Sequence, residues 1–297
     1  MDTIALRSSL SALTTGVRPS FPGLVRSSLR KIWYLRMTWV MLAICLAITL
    51  LMLVIQPTTS TVTGKPLPAL SRLYTIASGP WIITRGCGGI FLMVITAYLI
   101  GGEYQRGTIR IILARGVGRV QLFLSQLTAV LIIMLLLLLG WAIINILSSF
   151  LFAQSADVLK AATTEFWREM GLYMLTILIN MIISILMAAA MAAVGRSLTF
   201  SMTAALSWFA ADNVIGFALQ NIATTTHNDV LSRLPGYLLG PILNDLPTQV
   251  GLNQLPEQGN LVQLMMSGTQ TLLVILAYGI IFLVVSLLLT WKKDIKE

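Results

Sequence analysis

Six long apolar runs dominate the sequence and restrict what it can fold into. A helix needs about 20 apolar residues to cross a hydrocarbon core of roughly 30 Å, and each run comes close to that length or exceeds it. The runs show no alternation of the kind that a transmembrane barrel requires, so helices are the remaining way to cross a bilayer. We therefore predict an all-α integral membrane protein with six transmembrane helices, at residues 37–55, 82–100, 122–152, 172–194, 198–219 and 271–291.

The composition excludes a soluble globule. Of 297 residues, 57% are hydrophobic and 10% are charged, whereas soluble domains carry about 25% charged residues. The mean hydropathy of +0.85 would leave a large apolar surface in water. Cys45 and Cys87 lie in or near apolar runs, which favours buried small hydrophobic side chains over a disulfide or a metal site.

The distribution of basic residues predicts the orientation. With the N-terminus inside, six spans return the C-terminus to the same side. Fourteen of the 20 Lys and Arg residues then lie inside, as the positive-inside rule expects. We therefore predict a plasma-membrane protein with both termini cytoplasmic. The net charge of +9 indicates contact with anionic lipid headgroups rather than nucleic acid.

The N-terminal region divides into two parts. Residues 1–20 are rich in Ser and Thr and predict a flexible cytoplasmic tail, while residues 21–297 form a single transmembrane domain. In residues 21–36, apolar side chains recur at helical spacing and Arg26, Arg30 and Lys31 occupy the opposite arc. This pattern predicts an amphipathic helix in the plane of the inner interface. The alternative is a simple positive flank of the first span.

The connections between the spans give further expectations. Four prolines in residues 56–80 predict an irregular outer loop, and a short surface helix is conceivable in residues 154–170. The residues Gly195, Arg196 and Ser197 predict a tight inner hairpin. Prolines and glycines among leucines predict short helices in the last outer segment, 220–270.

Signals of enzyme chemistry are scarce. The chain lacks the G-x-x-x-x-G-K-[ST] sequence that cradles phosphates, and its lone histidine, His227, has no second imidazole to share a metal with. We therefore predict no catalytic, cofactor or metal site in this chain.

A few polar residues lie within the apolar runs. Asn145, Asn180 and Asp212 are candidates for the lining of a transport pathway, because polar groups in a membrane are costly and are often functional. The alternative is a structural role, through hydrogen bonds between helices or pairing near the outer interface. Arg85, one turn into the second run, is expected to extend outward to the interface.

The segment between the second and third runs has more charged residues and glycines than a simple connection requires. Residues 103–119 read EYQRGTIRIILARGVGR, with one acid, four arginines and three glycines in a predicted inner loop. We expect a helix from Glu103 to about Leu113 along the membrane face. Gly116 and Gly118 would then end it and turn the chain into the third span. The alternative is a basic loop that only satisfies the charge rule.

This segment resembles the inner loop of ABC-2 type transporter permeases. The resemblance consists of Glu103, the pair Gly107–Thr108, Leu113 at the end of an apolar stretch, then Arg115 and Gly118–Arg119. Gly118 stands where that family more often has Ser or Thr, and Gly116 stands where Pro is common. The six-span plan with a basic entry helix is also similar, so the resemblance covers about residues 21–291.

The resemblance implies a permease subunit of an ABC exporter. Two permease subunits, identical or related, would form the pathway, with two separate ATP-binding subunits docked below that hold ATP and Mg²⁺. A cytoplasmic coupling helix between spans two and three would transmit their closure. The implied coupling residues are Glu103, Gly107, Thr108, Arg110, Arg115 and Arg119.

Two other classes stay open from the sequence. An ATP-independent secondary transporter or channel would need coupling residues near the midplane, for which Asp212 is the main candidate. A membrane enzyme or non-transporting scaffold is the third possibility, although few His, Cys and clustered acids are present. A lipid-like, drug-like or peptide cargo is favoured over a small ion, because the spans carry few charges.

Overall fold

The computed structural model describes residues 20–55, 61–62, 65–66, 69–152, 162–252, 264 and 266–292. The predicted tail, residues 1–20, lies outside this part of the chain except for its last residue. Apart from turns and short connections, the described residues are helical except for one short antiparallel ladder, in which β1 (Thr61–Val62) pairs with β2 (Lys65–Pro66).

Within the described residues, five helices are long and apolar enough to cross a membrane, or six if a bent pair counts as one span. The bent pair consists of α1 (Phe21–Tyr34) and α2 (Arg36–Ile55), whose axes differ by 66°. The break falls at Leu35, which has an extended backbone. The chain continues through α3 (Ala69–Thr96), a π-helical turn (Ala97–Gly101) and α4 (Gly102–Gln105).

The second half of the chain adds four long helices and several short ones. The long helices of this half are α6 (Arg119–Phe152), α7 (Thr164–Gly195), α8 (Leu198–Thr226) and α11 (Gly268–Lys292). The short elements are α5 (Thr108–Ala114), α9 (Asp229–Arg233), a 3₁₀ turn (Leu234–Tyr237) and α10 (Leu239–Gln249).

The helix α7 lies at the centre of the bundle. It packs against α3, α8 and α11, and 67% of its apolar window is buried, against 17% in α8 and in α11. Small side chains permit this close packing: the alanines of α7 between Ala188 and Ala193 are at most 2% exposed. The exposed leucines and isoleucines of α6, α8 and α11 are suited to contact with lipid.

Two expectations about the connections need correction. Residues 69–80 are helical rather than irregular, because α3 begins at Ala69. Similarly, residues 164–170 belong to α7 rather than to a separate surface helix. Both extensions bury side chains against each other, since Tyr74 of α3 stacks edge-on against Phe166 of α7 with ring centroids 5.1 Å apart. The hairpin at 195–197 and the short helices within 220–270 are confirmed.

The helix α1 packs alongside α6. Its buried positions are Val25, Ser28 and Ile32, so protein covers much of the apolar arc that we expected to face the membrane interface. Leu24, near its start, packs against a cluster that contains Leu122 of α6.

Candidate functional site

Glu103 is the centre of a polar contact among three helices. It lies in α4 and its side chain is 4% exposed. One carboxylate oxygen is paired with the ammonium group of Lys31 in α1. The other accepts a hydrogen bond of 2.6 Å from the side-chain amide of Gln126 in α6. A carboxylate buried to this extent requires such partners, because an unpaired one would lose its hydration without compensation.

The two residues after Glu103 reach two further helices. Tyr104 lies near Thr290 of α11, and its ring lies 5.9 Å from the guanidinium carbon of Arg196. The side-chain oxygen of Gln105 accepts a 3.2 Å hydrogen bond from the backbone N–H of Leu198, at the start of α8. Three consecutive residues, 103–105, therefore contact α1, α6, α8 and α11. We call this set of contacts the junction, and the end of the bundle that holds it the basic end.

The π-helical turn that follows α3 approaches α8 closely at Gly101. A Cβ atom there would lie 2.7 Å from the hydroxyl oxygen of Ser201 and 2.9 Å from the carbonyl oxygen of Ser197. Only a residue without a side chain fits this distance between the two backbones. Gly101 therefore fixes the junction against the start of α8.

The segment after the junction turns sharply and forms a short helix. Gly107 has φ of +67°, a left-handed conformation that favours glycine. The expected continuous helix from Glu103 to Leu113 is therefore wrong: it is divided at Gly107 into α4 and α5. The hydroxyl of Thr108 donates back to the carbonyl oxygen of Glu103 at 3.4 Å, which ties the first turn of α5 to the junction.

The helix α5 has one buried face and one exposed face. Ile109 is 8% exposed and packs in a small apolar cluster with Val117 and Leu122. Ile111, by contrast, is 59% exposed. The exposed face also carries Arg110 and, just past the helix, Arg115.

Arg106 and Arg119 complete the basic surface next to α5. Arg119 is half-buried at the first position of α6. Arg106 is exposed and lies over the ring of Tyr98, 5.0 Å from its centroid. An exposed apolar side chain surrounded by arginines is suited to binding a partner with an apolar pocket and an acidic rim.

The polar residues proposed for a pathway have separate surroundings. Asn145 of α6 donates to the carbonyl oxygen of Trp141 at 2.8 Å and lines a pocket of about 200 Å³ with aromatic side chains of α3 and α7. Asn180 of α7 is 3% exposed, and its side-chain oxygen lies 3.4 Å from the hydroxyl of Ser184. A Cβ on Gly89 of α3 would lie 3.6 Å from that same oxygen, so Asn180 packs at the contact of α3 with α7.

Asp212 makes hydrogen bonds within α8 and from α8 to α10. Its carboxylate accepts hydrogen bonds from the indole N–H of Trp208 at 3.3 Å and from the backbone N–H of Gly240 at 3.2 Å. The second bond connects α8 with the first turn of α10. The geometry therefore favours the structural alternative for this residue.

Arg85 does not extend to the surface as expected. It is 8% exposed, and its guanidinium donates to the side-chain oxygen of Asn244 at 3.4 Å. The cause is α10, which packs against α7, α8 and α11 and brings Asn244 to Arg85. The sequence predicted short helices in this segment and could not show that one of them reaches Arg85 in the middle of α3.

Sequence reasoning identified Glu103 and missed most of its partners. The signal for Gln126 in the sequence is an amide side chain near the start of an apolar run. Lys31 was assigned only to the polar arc of an amphipathic helix, and it lies 72 residues from Glu103. Among the implied coupling residues, the structure brings Glu103, Gly107 and Thr108 together and leaves Arg110 and Arg115 on the exposed surface.

These features place the chain in the class of polytopic α-helical membrane proteins, with a polar junction at one end of its bundle. Within this class, the chain belongs to the family described as protein of unknown function (DUF2705), whose model matches residues 89–296. The match includes the junction residues 103–105 and α5, and it begins after Lys31. No curated protein matches the sequence.

Proposed function

We propose that this chain is the permease subunit of an ATP-driven ABC transporter of the ABC-2 type. It would export a lipid-like, drug-like or peptide cargo, coupled to two separate ATP-binding subunits through residues 103–119. The observation that carries the proposal is the junction. Three consecutive residues contact α1 and three long helices, α6, α8 and α11, and they adjoin a short helix with an exposed basic and apolar face.

In this proposal, the junction links α5 mechanically to α1, α6 and α8. A partner that binds α5 would contact Ile111 and the arginines beside it. Because Thr108 bonds to the carbonyl oxygen of Glu103, a displacement of α5 would be passed to the junction. From there it would reach α1 and α6 through Glu103, and α8 through Gln105. Such a coupled movement is what alternating access requires.

The proposal also assigns an arrangement in the membrane. The helix α2 would provide the first of six spans, and the basic end would face the cytoplasm, in agreement with the distribution of Lys and Arg. Because the chain has no phosphate-cradling sequence, ATP and Mg²⁺ would bind on the partner subunits. A second copy of this chain, or a related permease, would complete the pathway.

Co-purification of an ATPase subunit with this chain tests the proposal. Arg110→Glu reverses a charge on the exposed face of α5, and we expect it to reduce binding of the ATPase at least about tenfold. The matched control is Arg233→Glu, which changes an exposed arginine in α9 and should leave binding unchanged. Equal binding by the two variants would contradict the assignment of α5.

Glu103→Gln distinguishes binding of the ATPase from transmission of its ATP-driven movement to the helices. This change leaves the exposed face of α5 intact, so the ATPase should still bind. The change removes the ion pair with Lys31, so ATP should no longer alter hydrogen exchange in α1 and α6. An unchanged ATP response in this variant would refute the role of the junction.

A further inference from the structure

The outward face of α1 carries two arginines. The opposite face is occupied, since Val25, Ser28 and Ile32 are buried and α1 packs along α6. Arg26 and Arg30 lie one helical turn apart and are exposed. Neither forms an ion pair or a hydrogen bond with another residue in the described part of the chain. Two neighbouring guanidinium groups are therefore accessible to an external anion.

Exposed aromatic side chains follow these arginines at the bend between α1 and α2. Trp33 is 62% exposed and Tyr34 is 78% exposed. Trp39, in the first turn of α2, donates its indole N–H to the carbonyl oxygen of Trp33 at 2.8 Å, and the two indole rings meet edge-on. Because Trp and Tyr are enriched where lipid headgroups meet the hydrocarbon core, the bend is suited to that level of a membrane.

The bend also keeps the two arginines near the level of the headgroups. Arg36 is the last charged residue before the apolar run at 37–55, and Arg26 lies ten residues before it. Because the axes of α1 and α2 differ by 66°, ten helical residues with the direction of α1 advance only about 6 Å along the axis of α2. The headgroup layer beside the hydrocarbon core has a similar depth. Where α2 crosses a membrane, Arg26 and Arg30 therefore lie among lipid headgroups.

We propose that Arg26 and Arg30 bind the phosphate groups of anionic membrane lipids. A guanidinium group can donate two parallel hydrogen bonds to phosphate oxygens, and an anionic headgroup supplies the negative charge that these arginines lack among the described residues. Lys31 on the same helix is paired with Glu103, so bound lipid would hold α1 against the junction from its outer side. The proposal rests on α2 as a span and does not depend on an ATPase partner. An acidic protein surface is the competing occupant.

A comparison of anionic and zwitterionic lipids tests the binding. The purified full chain in detergent is titrated with dioleoyl phosphatidylglycerol or with dioleoyl phosphatidylcholine, and bound lipid is counted by native mass spectrometry. The acyl chains are the same in both, so the difference reports the charge of the headgroup. Each arginine near an anionic lipid surface contributes a factor of about five in affinity. Arg26→Gln/Arg30→Gln should therefore reduce the preference for phosphatidylglycerol at least about fivefold.

Two further double variants are the controls. Arg26→Lys/Arg30→Lys keeps both charges and should retain most of the preference. Arg168→Gln/Arg233→Gln removes the same charge from exposed positions at the other end of the bundle and should leave the preference nearly unchanged. An undiminished preference in Arg26→Gln/Arg30→Gln, or an equal loss in Arg168→Gln/Arg233→Gln, would overturn the proposal.

Fluorescence quenching in vesicles distinguishes lipid from an acidic protein surface. The full chain is reconstituted into phosphatidylglycerol vesicles whose acyl chains carry bromine either near the headgroup or near the terminal methyl group. The difference in quenching between the unmodified chain and Trp33→Phe reports the depth of Trp33. We expect stronger quenching of Trp33 by the bromine near the headgroup. Absence of quenching by both lipids would place this face of α1 in water, where an acidic protein could bind it, and would contradict the proposal.

Discussion

Replacement of Lys31 by methionine would leave the Glu103 carboxylate buried without its ion-pair partner. The Glu103 side chain is 4% exposed, whereas that of Lys31 is 45% exposed. Removal of one partner from a fully buried pair costs about 3–5 kcal/mol. Because Lys31 is half in solvent and Gln126 still donates to the carboxylate, we expect about 2 kcal/mol for Lys31→Met.

The double variant distinguishes the contribution of the ion pair from the effect of each single substitution. In Lys31→Met/Glu103→Gln no charge remains buried, and the neutral amide can still accept a hydrogen bond from Gln126. We expect this variant to lose only about 1 kcal/mol. Glu103→Gln alone should lose about 1 kcal/mol as well, because the freed ammonium group of Lys31 can reach water. The two single changes would then be strongly non-additive.

Thermal unfolding of the purified protein, followed by tryptophan fluorescence, gives the rank order. Lys31→Met should have the lowest midpoint, and addition of Glu103→Gln should raise it. The control is Arg30→Met, an exposed neighbour on α1, which should change stability by less than about 0.5 kcal/mol. A double variant that is less stable than Lys31→Met would refute the buried ion pair.

Three further outcomes are expected at other positions. Gly101→Ala should lower the free energy of unfolding by about 1–3 kcal/mol, because its methyl group would collide with the start of α8. The control is Gly86→Ala, which has open space around it and should be neutral or stabilising in the same thermal assay. Burial and a hydrogen bond to Glu169 raise the pKa of Tyr74. Protonated Tyr74 therefore contributes its full stabilisation below about pH 10, and this contribution falls as pH rises above that value. Tyr74→Phe should flatten the alkaline loss of stability, and an unchanged slope would contradict this. Asp212→Leu should cost about 1–2 kcal/mol through two lost hydrogen bonds and Asp212→Asn less, and equal midpoints for the two variants would argue against its structural role.

The long helices were predictable because apolar runs report burial in hydrocarbon or protein. All five runs from residue 82 onward lie within helices of the structure. The bounds were less accurate where helices extend beyond the apolar window. Residues 69–80 continue α3 because Leu73 and Tyr74 are buried in the core, which a hydropathy pattern cannot reveal.

The candidate site was predictable only in part. An acid followed by glycines and arginines in a short loop identified Glu103 and the basic surface near it. Its partners could not be found in this way, because they depend on how α1 and α6 are placed in three dimensions. The same limit applies to Arg85, whose burial depends on the position of α10.

Site-specific photo-crosslinking from α5 tests the proposed coupling most directly. A photoreactive amino acid would replace Ile111, or, as a control, Tyr237 near α10; each side chain is 59% exposed. In native membranes, we predict an adduct from position 111 with a subunit that carries a phosphate-binding loop, with a yield that changes on addition of ATP. Position 237 should give no such adduct. The absence of an ATPase adduct at 111, or equal yields at both positions, would contradict the account.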